Sequence, residues 1–114
     1  MSDDCLFCRI VAGEIPATRV HEDDQVLAIR DVNPQAPTHL LLMPVAHVGS
    51  VADLTDADAP LAGRLLAVAA DLARRERLDR GWRLVSNVGP DAGQSVDHLH
   101  LHLLGGRRMG WPPG

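Results

Sequence analysis

Three histidines alternate with leucines in one short segment, His98-Leu99-His100-Leu101-His102, just ahead of Leu103-Leu104. Residues two apart on an extended strand share a face, so the imidazoles would line one side while the leucines enter the core. Same-face neighbours lie roughly 6–7 Å apart, close enough to serve one ligand. Such a row has three chemical uses: a metal site, a nucleophile with its helpers, or a pH-responsive cluster. Immediately upstream, Gly89-Pro90-Asp91-Ala92-Gly93-Gln94-Ser95 is a glycine turn followed by an amide and a hydroxyl. A turn of this kind can aim backbone N–H groups at an anion. Phosphate beside imidazole points to nucleophilic chemistry. A neutral imidazole can attack phosphorus and form a covalent intermediate, and protonated neighbours can stabilise the phosphoryl oxygens.

A second group of chemical interest is the pair Cys5 and Cys8, the only cysteines of the chain. A redox C-x-x-C needs a thioredoxin-like βαβ setting, which the surrounding pattern lacks. A structural zinc needs two further ligands, and none follows at finger spacing. Two small buried thiols on a helix are the third reading.

These residues must be carried by elements that the pattern also outlines. Residues 5–12 read as a short helix stopped by Gly13. Thr18–Glu22 and Gln25–Asp31 read as two strands joined by Asp23-Asp24, a hairpin turn without the usual glycine. His39–Met43 is an apolar run closed by Pro44, the pattern of a central strand. Between Thr55 and about Leu78 lies the one strong helix signal, with Leu61, Leu65, Val68 and Leu72 on one stripe. Thr55-x-x-Asp58 resembles a capping box, while Pro60 moves the expected start toward Asp58. Trp82–Val88 is strand-like, and Gln94–Leu104 alternates at period two up to Gly105-Gly106. Strands and helices do not interleave as βαβαβ, so an antiparallel α+β layer is expected.

Composition narrows the partners. The 114 residues are 46% apolar and 23% charged, which fits one ordinary globular domain and excludes collagenous, coiled-coil and disordered classes. The formal charge of −4 disfavours a general nucleic-acid binder. Arg74, Arg75, Arg77 and Arg80 come closest to a basic patch, but Glu76 and Asp79 interrupt them, so a solvated helix face is expected. No apolar stretch approaches the roughly 20 residues of a membrane span. The opening Met-Ser-Asp-Asp has no charged leader and h-region, so a cytoplasmic protein is expected.

The triad, with its two following apolar residues, resembles the signature of the histidine triad (HIT) superfamily. Further segments are similar to its Hint branch, the nucleotide-binding, purine nucleoside phosphoramidase type. They are Asp31-Val32-Asn33-Pro34-Gln35-Ala36-Pro37-Thr38-His39, Gly93-Gln94-Ser95-Val96, Leu104-Gly105-Gly106-Arg107 and Trp111-Pro112-Pro113-Gly114. The resemblance covers the chain from about Cys5 to Gly114. It implies a single HIT domain over residues 1–114, with a five-stranded antiparallel sheet, one long and one short helix, and two sheets pairing into a ten-stranded homodimer. It also implies that the tail, 107–114, reaches the dimer active site through Trp111.

Carried over by residue, it makes His100 the nucleophile at the α-phosphorus, His102 a phosphate contact and His39 part of an imidazole relay. Ser95 joins these catalytic residues. Asn87, Gly93, Gln94 and Ser95 would surround the phosphate and leaving group. Asp31 would bind the ribose hydroxyls, and Val32 would lie against the base; a carboxylate can accept from a cis-diol, and an apolar wall suits a purine. In Hint-like proteins that carry the cysteine pair, positions matching His47 and His98 complete a structural zinc site, and catalysis needs no cofactor. The implied substrate is a purine nucleotide phosphoramidate. A dinucleoside polyphosphate hydrolase, a nucleotide-binding scaffold with incidental hydrolysis, and a metal module using all three histidines are the alternatives.

Overall fold

The computed structural model describes residues 4–114. Its strands are β1 (Arg19–Glu22), β2 (Val26–Arg30), β3 (Thr38–Pro44), β4 (Trp82–Ser86) and β5 (Leu101–Gly105). They form one antiparallel sheet in the order β1-β2-β3-β5-β4. A short helix, α1 (Leu6–Val11), and a long one, α2 (Ala59–Arg75), complete the expected α+β fold.

Local chemistry accounts for the element ends. The Sγ of Cys5 accepts the Cys8 N–H at 3.3 Å and so caps α1. At the β1–β2 turn, Asp23 replaces the missing glycine. Its Oδ1 accepts the N–H groups of Gln25 and Val26 at 2.7 and 2.9 Å, an Asx turn. His21, those two amides and Arg64 hold the Asp23 carboxyl well below the usual carboxylate range. Before α2, the Asp58 carboxylate accepts the backbone N–H of Thr55 at 2.9 Å, and a 3-10 turn over Asp56–Asp58 leads into the helix with Pro60 in its first turn.

The helix ends at Arg75, earlier than the stripe predicts. Arg77 adopts a left-handed φ of 58°, the Leu78 N–H reaches the Ala73 carbonyl at 3.0 Å, and the Arg77 N–H reaches that of Arg74 at 3.1 Å. This is a Schellman closure with arginine where glycine is usual. Arg77 and Arg80 therefore lie beyond the helix rather than on a solvated helix face.

The two faces of the sheet bury different partners. On one, Leu65, Val68 and Leu72 of α2 pack against Val26, Ala28, Leu40, Leu42, Leu101 and Leu103. On the other, Phe7 and Ile10 of α1 cover Leu27, Ile29, Leu41 and Met43. Each such side chain, fully buried, contributes about 1.5–3 kcal/mol. β3 is buried along its whole length, as its apolar run predicts. His39 and His102 share the α1 side, because they stand two residues from Leu41 and directly opposite it, respectively.

One expectation is corrected. The alternating segment 94–104 is not a single strand, since β5 begins only at Leu101. The reason lies at His98, whose carbonyl oxygen accepts from the His100 side chain instead of joining a ladder. The preceding turn is held by a separate bond from the Leu99 N–H to the Val48 carbonyl, 2.5 Å.

Candidate active site and candidate metal centre

On the α1 side of the sheet, β3 and β5 bring two imidazoles into contact: His39 Nε2 lies 2.9 Å from His102 Nδ1. The neighbouring bonds fix where the protons sit. The backbone N–H of Gln35 donates to His39 Nδ1 at 3.0 Å, so that nitrogen carries no proton. His39 therefore holds its proton on Nε2 and donates it to His102 Nδ1. His102 in turn keeps its proton on Nε2. Asp31 Oδ2 stands 3.4 Å from His39 Nε2, and its Oδ1 accepts the Asn33 N–H at 2.8 Å. Burial pushes the pKa of His39 below its ordinary value, with Asp31 pulling the other way. His102 is lowered by burial and by the neighbouring His100 and His39, again opposed by Asp31. Both imidazoles are thus held neutral, in defined tautomers.

His100 carries the opposite tautomer. Its Nδ1 is 2.7 Å from the His98 carbonyl, which can only accept, so the proton is on Nδ1 and the Nε2 lone pair is left for chemistry. The ring is buried, meets Phe7 edge-on at 4.9 Å between centroids and lies 5.2 Å from His102. A nucleophilic nitrogen and a donor N–H therefore sit on adjacent rings.

The loop before the triad is more self-contained than its composition predicts. Gly89 and Gly93 adopt φ of 81° and 80°, conformations that favour glycine. The N–H groups of Gly93 and Gln94 turn inward to the carbonyls of Pro90 and Gly89. The Gln94 side chain accepts from Gly89 and donates to the Gly49 and Val96 carbonyls, while Asn87 Nδ2 donates to the Ala92 carbonyl at 2.6 Å. Ser95 follows, exposed. At the other side of the site, Val32 is 100% exposed, an apolar residue with no packing role within the chain. Trp111 is 83% exposed, lies under the Arg83 guanidinium at 5.9 Å, and neighbours Gly110, whose carbonyl accepts from Arg83.

His98 takes no part in that site. It is wholly buried, its Nε2 donates to the Pro44 carbonyl at 2.8 Å, and its Nδ1 faces Cys5 Sγ at 3.3 Å and Cys8 Sγ at 3.4 Å. His47 Nδ1 lies 3.2 Å from Cys8 Sγ. The four ligand atoms of Cys5, Cys8, His47 and His98 all fall within 4.8 Å of one another. A tetrahedral zinc with ordinary bond lengths places sulfur and nitrogen about 3.6 Å apart, so the cluster fits the ion. The bond to Pro44 fixes the His98 tautomer with its lone pair toward the thiols, as an outer-shell partner of a metal ligand does. Burial pushes the His98 pKa down, opposed by the Pro44 carbonyl. The three triad histidines therefore do not converge on one ion, and the three-histidine metal module is set aside.

Two contributors escaped the sequence reading. Gln35 acts through its backbone N–H, which leaves no side-chain signal. Phe7, inside the C-x-x-C, meets both His98 and His100 edge-on; only the placement of α1 against the triad shows this.

A five-stranded antiparallel sheet bearing this histidine pair beside His100 defines a class: the HIT domain model matches residues 12–109, and the chain belongs to that family. It is 48% identical over 114 residues to an uncharacterized HIT-like protein of Synechococcus elongatus, covering 100% of both chains. It is 50% identical over 111 residues to the 14 kDa zinc-binding protein of Zea mays, covering 96% of this chain and 87% of that one. Among solved structures, a HIT family hydrolase from Legionella pneumophila Philadelphia 1 superposes with a TM-score of 0.95 at 55% identity, covering 96% and 99%. A histidine triad nucleotide-binding protein from Candida albicans gives 0.81 at 30% identity, covering 96% and 84%. No helix among the described residues is long and apolar enough to cross a membrane.

Proposed function

We propose that this chain hydrolyses purine nucleoside 5′-phosphoramidates, as the Hint branch does, through a nucleotidyl intermediate on His100. The observation that carries the reading is the pair of opposed tautomers on neighbouring rings, an Nε2 lone pair on His100 and an Nε2–H on His102. The His100 lone pair attacks the α-phosphorus, the P–N bond to the amine breaks, and the amine leaves with the Nε2 proton of His102. Loss of that proton is eased because His102 Nδ1 already accepts from His39. Water then attacks phosphorus, the P–N bond to His100 breaks, and the water proton returns to His102. Dividing one displacement into two easier ones is the usual gain of covalent catalysis.

Asp31 takes the ribose hydroxyls and the exposed Val32 packs on the base, with Asn87, Gly93, Gln94 and Ser95 bordering the phosphate and leaving group. Gln94 and Asn87 serve this by bracing the loop, since their amides are already bonded within it. Cys5, Cys8, His47 and His98 hold a structural zinc, which ties α1 to the triad and supplies folding energy rather than a reaction step. Paired copies of the sheet, joined along the β4 edge, form a homodimer in which the tail 107–114 and Trp111 reach the partner's site. A cysteine pair that serves a metal site suits the reducing cytoplasm.

The test is rapid-quench incubation with adenosine 5′-phosphoramidate. Adenylyl label on His100 and release of adenosine monophosphate support the reading. Preferential cleavage of diadenosine polyphosphate, or nucleotide binding without turnover, would replace it by the corresponding alternative.

A further inference from the structure

The contact between β3 and β5 continues past the end of their ladder. One end of the ladder is the pair Thr38 and Gly105, so the loop before β3 and the turn after β5 emerge side by side. Gly106 takes a positive φ of 90°, and a Cβ there would stand 3.0 Å from the Pro37 Cβ. Arg107 reaches further along the same loop: its Nε–H donates to the Gln35 carbonyl at 2.9 Å. Its Nη1 donates to the Arg108 carbonyl at 3.2 Å, which steadies the guanidinium. The turn after β5 therefore braces the loop twice, at Pro37 by close packing and at Gln35 by a hydrogen bond.

The far side of Gln35 makes this brace chemically important. Its N–H donates to His39 Nδ1 at 3.0 Å. His39 Nε2 and His102 Nδ1 are 2.9 Å apart, and two neutral proton arrangements satisfy that contact. In the first, His39 donates from Nε2 and His102 keeps its own proton on Nε2. In the second, His39 carries its proton on Nδ1, His102 donates from Nδ1, and His102 Nε2 is a bare lone pair. Only the first offers a proton to a leaving amine. Asp31 Oδ2, 3.4 Å from His39 Nε2, favours the first at more than an ordinary hydrogen-bond distance. The Gln35 N–H decides more strongly. It bonds the first arrangement, whereas in the second it would face another N–H and lose its acceptor.

We infer that Arg107 is a positioning residue: by holding Gln35 against His39, it selects the proton arrangement in which His102 Nε2 carries a proton. Arg107 touches neither imidazole and acts through Gln35. Its bond lies within one chain, so it holds equally in a monomer and in the proposed homodimer. The use made of the His102 proton rests on the phosphoramidase reading; the proton arrangement itself does not.

The test is proton–nitrogen correlation NMR of the imidazole nitrogens in the full chain at about pH 8, where neutral rings prevail. The parent should show Nδ1 of His39 and His102 unprotonated and both Nε2 atoms protonated. Arg107→Met keeps the length of an exposed side chain and removes its donors, while Gly106→Ala crowds Pro37 at a strained φ. Each should lower the ratio of the first arrangement to the second by about two- to tenfold, the worth of one ordinary hydrogen bond. With adenosine 5′-phosphoramidate, kcat should fall in proportion to the population of the first arrangement. The tautomer measurement needs no substrate, so it decides the brace even where the phosphoramidate is not turned over. Unchanged tautomers in both variants overturn the inference, and so does a loss of kcat without a change of tautomer. An altered sedimentation coefficient with unchanged tautomers would assign Arg107 to the subunit interface instead.

Discussion

His98 and His102 stand four residues apart, yet their surroundings assign them opposite chemistry. His98 gives its proton to a backbone carbonyl and turns a lone pair toward two thiols, the posture of a metal ligand. His102 accepts its neighbour's proton and keeps its own directed outward, the posture of a donor to a developing charge. Between them His100 donates to the His98 carbonyl, so the segment that bears the Cys/His cluster also orients the proposed nucleophile. One residue type takes three different proton arrangements because the partner of each ring's second nitrogen differs.

The sharpest way to break this comparison is His100→Ala. Turnover should fall by about three or more powers of ten, while zinc content and nucleotide affinity stay near wild type. Retention of a tenth of the rate would rule out the covalent route. The other side of the comparison is tested by Cys5→Ser with Cys8→Ser. Metal analysis should find no bound zinc, and denaturant unfolding should show a loss of several kcal/mol. The folded fraction should still turn over within a few-fold of wild type, since no step uses the ion. Metal retained by the double variant would refute the proposed centre.

A smaller effect is expected from His39→Gln, which interrupts the proton chain without touching the nucleophile. We expect a rate loss of about ten- to a hundredfold, with zinc unchanged. An unchanged rate would mean that the contact between His39 and His102 is structural only. The smallest effect is on stability against pH. Both relay imidazoles have folded pKa values below their unfolded value of about 6.5, so the unfolded chain binds more protons there. Their contribution is complete above that value and is lost as pH falls through the lowered folded values. Unfolding free energy should therefore drop on acidification below about pH 6.5, and less steeply in His39→Gln. A steeper drop in the variant would reverse the assignment.

Much of this was legible in the residues. Alternation in His98–His102 placed imidazoles and leucines on opposite sides, and Thr55, Asp58 and Pro60 marked how α2 begins. The end of α2 was not legible, because Arg77 takes a conformation that composition assigns to glycine. The alternation over 94–104 also runs further than the strand, since periodicity does not reveal that a histidine ring will capture the His98 carbonyl.

The sequence by itself determined which groups are available: three alternating histidines, two thiols, an apolar stripe, and arginine as the only strong base. Tertiary structure decided what those groups do. Cys5 and Cys8 meet His98 only because α1 lies across the sheet, and His39 meets His102 only because β3 pairs with β5 in one register. Arg107 reaches Gln35 only because that same pairing sets the turn after β5 against the loop before β3. Proton position and metal-ligand geometry depend on contacts a few ångströms long between residues tens of positions apart, and chain order alone does not encode such distances.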